Sequence, residues 1–241
     1  MAGARGAGPG ETVAYGDHPS QVCDHYRPDE GDGWPLAVLI HGGFWRAKYG
    51  RDLEEPLALD LVARGWAVWN VEYRRLGDGG GWPATFADVE AAVDALGEDR
   101  SRAVAIGHSA GGQLAVWVAQ RAGLAGAVSQ AGALDLDELW RLGTSDGVVG
   151  ELLGGGPAEV PERYDAASPA RRLPVGVPTL LVHGELDEDV PVHISREFAA
   201  AAGDACELVV IDDEGHYEHL EPGSRSWGAV LAWLSRGVRD E

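Results

Sequence analysis

Six short apolar runs rich in β-branched residues recur along this chain, at 36–40, 67–71, 103–106, 125–129, 179–182 and 207–211. Runs of that length with no polar face are strands buried on both sides. The segments between them, at 52–63, 84–96, 110–122, 192–202 and 224–235, repeat apolar residues at helical spacing and read as helices. Strand, helix and strand in this rhythm make a mostly parallel sheet flanked by helices on both faces, because parallel neighbours need a long crossover. Residues 13–26 predict one or two antiparallel edge strands.

The chain has 241 residues, of which 45% are hydrophobic, enough for one substantial core. Residues 12–241 therefore read as a single α/β domain behind a flexible, glycine-rich tail at 1–11, MAGARGAGPGE. The segment 134–173 is too long for an ordinary connection and carries three glycines and Pro157 in its middle, which suggests a lid-like insertion with short helices. With 19 basic residues against 39 acidic ones, a net charge of −20 disfavours binding to nucleic acid or to a membrane surface. The tail lacks the apolar stretch of a signal peptide, and nothing later has the length of a membrane span. The expectation is a cytoplasmic protein whose two cysteines, Cys23 and Cys206, are reduced.

The stretch VAIGHSAGGQ ends one of the strands and contains Gly107-His108-Ser109-Ala110-Gly111, a G-x-S-x-G pattern. A strand that turns sharply into a helix at such a pattern holds its serine hydroxyl out at the carboxyl edge of the sheet. The helix N-terminus and the Ala110 N–H then favour negative charge beside it. A serine needs a base, and the base needs an orienting group. Both follow in order: His183-Gly184-Glu185-Leu186-Asp187-Glu188-Asp189-Val190-Pro191 after one strand, and Gly215-His216-Tyr217 after the next. Asp187 is the favoured acid, with Asp189 two positions on as the competitor, and His216 is favoured over His219.

Through GHSAGG, HGELDEDVP, GHYEHLEP and His41-Gly42-Gly43-Phe44-Trp45, the sequence resembles the α/β-hydrolases from about residue 38 to 233. The HGGFW stretch is similar to the oxyanion motif of the small serine esterase and arylformamidase branch. The resemblance implies an α/β-hydrolase fold, a Ser109, His216 and Asp187 triad, and an oxyanion hole built from the N–H groups of Gly43, Phe44 and Ala110. It further implies cleavage of a small carboxylic ester or an N-formyl aryl amide through an acyl-enzyme, and the triad alone does not choose between them. No ligand cluster or phosphate loop appears, so no metal and no organic cofactor is expected. Trp45, Trp82, Trp140 and Tyr217 are candidates to line the substrate pocket, with Leu139 and Leu142 of the insertion beside them. The glycine-rich run 77–83 reads as a mobile loop next to that pocket. A hydrolase-fold protein that binds without turnover, and a small peptidase, are the alternative readings.

Overall fold

The computed structural model describes residues 10–237. Residues 1–9 of the expected tail lie outside the described residues, whereas its last residue, Glu11, opens the first strand. Eight strands form one sheet. They are β1 (Glu11–Ala14), β2 (Val22–Tyr26), β3 (Leu36–Ile40), β4 (Ala67–Val71), β5 (Ala103–His108), β6 (Gly126–Gln130), β7 (Thr179–Gly184) and β8 (Cys206–Ile211). Their order across the sheet is β1-β2-β4-β3-β5-β6-β7-β8. β1 and β2 form an antiparallel edge, and every pair from β4 to β8 is parallel.

The helices are α1 (Glu55–Ala63), α2 (Ala84–Asp94), α3 (Ala110–Ala122), α4 (Leu136–Leu142), α5 (Thr144–Leu153), α6 (Pro161–Ala167), α7 (His193–Ala202) and α8 (Arg225–Gly237). Side chains alternate across a strand, so β3 sends Val38 and Ile40 to one core and Leu39 to the other. The first core takes α2, α3 and α7 through Phe86, Leu114 and Phe198. The second takes α1 and α8 through Leu57, Leu61, Trp227 and Val230. Strands β3 to β7 are buried along their whole length, while β8 is half-buried as an edge strand. This α/β arrangement is the one expected from the apolar runs.

Register decides where function sits. Ile40 pairs with Gly107, Gly107 with Ser129, Gln130 with Val182, and Gly184 with Ile211. The carboxyl ends of five parallel strands therefore stop at one edge, and the loops carrying residues 41–45, 109, 185–190 and 212–217 emerge together. The insertion after β6 holds α4, α5 and α6. Asp135 caps α4 by accepting the N–H groups of Asp137 and Glu138. The start of α5 is not regular helix, since Ser145, Asp146 and Gly147 take φ of 47°, 57° and 79°.

Glu54 lies just ahead of α1, fully buried, with neither carboxylate oxygen hydrogen-bonded. Burial pushes its pKa up to about 8. Between the unfolded value, near 4.5, and about 8, the unfolded chain has released this proton and the native chain still holds it. Stability therefore falls as pH rises through that window, by about 1.4 kcal/mol per pH unit. Glu54→Gln is expected to remove this slope. Thermal melts of both proteins from pH 5 to 7.5 would show the wild type losing on the order of 3 kcal/mol relative to the variant; parallel curves would mean that Glu54 is ionised in the native state.

Candidate active site

The nucleophile candidate sits in the turn between β5 and α3. Ser109 has φ 56° and ψ −119°, a conformation costly for any residue but glycine. The fold holds it there through its backbone: its N–H donates to the Gln130 carbonyl at 2.8 Å, and its own carbonyl accepts from Gln113 and Ala133, each at 3.2 Å. The flanking glycines answer to close approach. A Cβ on Gly107 would lie 2.2 Å from the Gly111 carbonyl oxygen, and one on Gly111 would lie 1.8 Å from that of Ile40. Helix α3 thus starts in backbone contact with β3, which an added methyl would break.

Ser109 Oγ–H donates to His216 Nε2 at 3.0 Å, and His216 Nδ1–H donates to Asp187 Oδ2 at 2.7 Å. All three side chains are nearly or wholly buried. The other carboxylate oxygen of Asp187 accepts the N–H groups of Asp189 and Val190 at 2.9 and 2.8 Å. Burial pushes the Asp187 carboxyl upward, but hydrogen bonds from His183, His216 and Val190 outweigh it and hold it well below the usual carboxylate range. Asp189, the competing acid, gives this cluster only its N–H; its side chain lines an open cleft.

The histidine loop is fastened on three sides. Glu214 accepts the N–H groups of Arg225 and Ser226 at 2.7 and 3.1 Å, which ties the loop to the start of α8. Leu186 N–H donates to the Glu214 carbonyl at 3.0 Å, lacing the acid loop to the histidine loop. His108 Nε2–H donates to the His216 carbonyl at 2.7 Å, with the two rings 4.6 Å apart. Burial and the neighbouring His216 and His219 push the His108 pKa well below its ordinary value. His219 is buried with both ring nitrogens unpartnered, and burial lowers its pKa to about 3. It does not reach the serine chain of hydrogen bonds.

The HGGFW loop runs through three successive left-handed residues, Gly43 at φ 103° and Phe44 and Trp45 at φ 54° each. Among the described residues no acceptor takes the N–H groups of Gly43, Phe44 or Ala110, so these donors are free for an oxyanion. Beneath them lies a buried ionic network that sequence reasoning did not reach. His41 Nδ1 faces the Gly42 carbonyl at 2.7 Å and Nε2 faces Glu72 Oε1 at 2.9 Å. Both ring nitrogens thus face oxygen acceptors in the core. Glu72 also meets Arg75 at 2.9 Å and accepts the Tyr73 N–H. Burial would raise the Glu72 pKa, yet His41 and Arg75 hold it below the ordinary value. The sequence signal was the Glu72-Tyr73-Arg74-Arg75 run after β4.

Ser109 opens onto a narrow apolar cavity of about 10 Å³, walled among others by Phe44, Trp45, Ala133, Leu139, Val148 and Val149. Phe44 and Thr144 connect it to a wider, open cleft of about 480 Å³ lined by Leu142, Ser145, Glu188, Asp189 and Pro191. Trp45 is therefore at the pocket, whereas Tyr217 walls neither space: it is 60% exposed and edge-on to His216 at 5.1 Å.

Two other expected pocket aromatics also lie elsewhere. Trp140 packs outward over Gly150 and Gly156, because one residue beyond Leu139 is a quarter-turn and more around the helix. Trp82 is edge-on to Phe86 at 5.1 Å, with its backbone N–H donating to the Leu152 carbonyl. The run 77–83 lines neither space; it folds back onto Arg74 and Arg75, with Asp78 bonded to Ser20.

No group of three or more His, Cys, Asp or Glu side chains among the described residues is arranged to hold a metal, and no helix there is long and apolar enough to cross a membrane.

The sequence profile of the BD-FAE family matches residues 23–201. A search of the curated proteins finds no match. Among solved structures, a truncated carbohydrate esterase from gut microbiota superposes with a TM-score of 0.83 at 17% identity, covering 98% of each chain. A thermophilic esterase of Thermogutta terrifontis with propionate bound gives 0.77 at 21% identity, covering 96% of each. A bifunctional GH43-CE protein of Bacteroides eggerthii gives 0.80 at 20% identity; 95% of this chain is covered, but it spans only 38% of that longer one. At such identities the likeness establishes the fold, that of the α/β-hydrolases.

Proposed function

Because the chain belongs to the BD-FAE family, we propose that it is a serine hydrolase that cleaves short-acyl carboxylic esters of small molecules. The observation that carries this reading is the unbroken chain of hydrogen bonds from Ser109 through His216 to Asp187, facing a cavity with unclaimed N–H donors. Ser109 Oγ attacks the ester carbonyl while His216 Nε2 takes its proton. The oxyanion that forms is held by the N–H groups of Ala110 and of Gly43 or Phe44. His216 then hands the proton to the departing alcohol, and a water activated by the same ring hydrolyses the acyl-enzyme. Asp187 fixes the ring tautomer and balances the imidazolium.

The acyl side is the tight one. The centre of a water-sized group has only about 10 Å³ to occupy beside Ser109, close to the minimum that holds one such group, so an acetyl methyl fits and a longer chain must push Leu139 or Val148 aside. The alcohol side faces the open cleft with Glu188, Asp189, Thr144 and Ser145, acceptors and hydroxyls suited to a leaving group with several hydroxyls. The neighbours described as esterases support an ester over an amide, although a formyl group is smaller still, which makes N-formylkynurenine the proper comparison.

A series of p-nitrophenyl esters tests the reading. Acetate is expected to exceed butyrate by about tenfold or more in kcat/KM, the cost of one or two misfitting methylenes. Val148→Ala should narrow that gap. Equal rates on acetate and butyrate would refute the size limit, and absence of fluorophosphonate labelling at Ser109 would refute the mechanism.

A further inference from the structure

His183 ends up against the acid although it belongs to no motif role assigned above. It is wholly buried on β7, four residues before Asp187. Its Nε2 lies 2.8 Å from the Val190 carbonyl and 3.1 Å from Asp187 Oδ2, the same oxygen that accepts His216. Both neighbours of Nε2 are acceptors, so Nε2 carries the ring hydrogen. Nδ1 is then the acceptor for the hydroxyl of Ser195, 2.7 Å away on α7. Ser195 is itself buried, so the ring is clamped from both ends.

We propose that His183 is a positioning residue that shares the Asp187 carboxylate with His216 and thereby sets the pH at which His216 becomes a free base. The inference rests on the reading of Ser109, His216 and Asp187 as a triad. Its physical content is competition for one charge. A carboxylate oxygen that already accepts a hydrogen bond from His183 has less negative potential to spend on the His216 imidazolium. The ring of His216 then gives up its proton at lower pH than it would beside an unshared aspartate, and more of the protein holds a neutral base near neutrality. The clamp also stops Asp187 rotating away, since its Oδ1 is held by Asp189 and Val190 while Oδ2 is held by two imidazoles.

The other titratable groups facing the pair leave room for this effect. They are His108 on the nucleophile turn, His219 and Tyr217 on the histidine loop, and Asp189 on the acid loop. Burial keeps His108 and His219 uncharged at neutral pH, and burial with the nearby Asp189 pushes the Tyr217 hydroxyl up to about 12. Asp187 is thus the carboxylate in direct hydrogen-bond contact with His216, and dividing it has consequences.

The test follows the protonation of His216 by nitrogen-15 NMR in a Ser109→Ala background, alongside the pH profile of kcat/KM for p-nitrophenyl acetate in proteins that keep Ser109. His183→Phe removes the shared hydrogen bond and is expected to raise both midpoints by about one pH unit. His183→Gln returns an N–H donor near the Nε2 position and should stay close to the wild-type midpoint. Ser195→Ala, which weakens the clamp without touching the acid, should shift the midpoint in the same direction by less. If the phenylalanine variant does not fold, the contrast between Ser195→Ala and His183→Gln decides.

Loss of rate in every variant at an unmoved midpoint would overturn the proposal and leave His183 as packing. Equal shifts for His183→Phe and His183→Gln would overturn it as well. The NMR midpoint needs no turnover, so a shift there in a protein that hydrolyses no ester would sink the proposed function and not the sharing of Asp187.

Discussion

Ser109→Ala is expected to lower kcat on ester substrates by at least about 10⁴-fold while leaving the fold intact. The Oγ has one partner, His216 Nε2, and the strained turn is held by backbone bonds that alanine keeps. The loss is therefore chemical and not structural. Asp187→Asn should come close to the same loss. An amide in place of Oδ2 would present a donor to His216 Nδ1 and favour the tautomer with no lone pair toward serine. Asp189→Asn should cost little, because Asp189 contributes its N–H. Steady-state kinetics on p-nitrophenyl acetate, with circular dichroism on each variant, checks the ranking; turnover by Ser109→Ala near the wild-type level would end the serine mechanism.

Gly111→Ala is expected to destabilise the protein by more than about 4 kcal/mol, in the range reserved for forced backbone displacement. The new methyl would sit 1.8 Å from the Ile40 carbonyl oxygen and 2.6 Å from that of His41. Neither obstacle is the end of a flexible side chain. Strand β3 pairs with both β4 and β5, so it cannot yield without opening the sheet, and α3 is buried along most of its length. Chemical denaturation of the variant measures the loss; a midpoint within experimental error of the wild type would mean that the α3 start can slide. Gly228→Ala on α8, where nothing lies within 4 Å of the added carbon, is the matching control.

The central strands were legible because burial on both faces leaves an uninterrupted apolar run, as in Leu36–Ile40 and Ala67–Val71. Ser109, Asp187 and His216 were legible because each follows such a strand, and register alone then brings them to one edge. What was not legible needed either a direction around a helix or a partner far away in sequence. Leu139 and Trp140 are adjacent and both apolar, yet one walls the cavity and the other lies 44% exposed on the outer side of α4. Seven residues of helix carry too few periods to orient them. The pairing of His41 with Glu72, 31 positions apart, and of His183 with Ser195, 12 apart, depends on which strands neighbour one another. Glu54, one carboxyl among many in an acidic protein, carries no sequence mark of its burial.

The strand that leads to His216 is an outermost one: β8 has a single partner, β7, and is half exposed along its length. Weakly packed units open at lower free energy than the core, and this one carries His216 while Ser109 stays anchored in the middle of the sheet. Under the proposed mechanism, turnover would therefore report how well the outer βα unit is fastened. On that reading activity is expected to fall on heating while most of the helices are still in place, and an acyl or phosphonyl group bound to Ser109 and held by His216 would act as a stitch between centre and margin, slowing the unravelling that begins there.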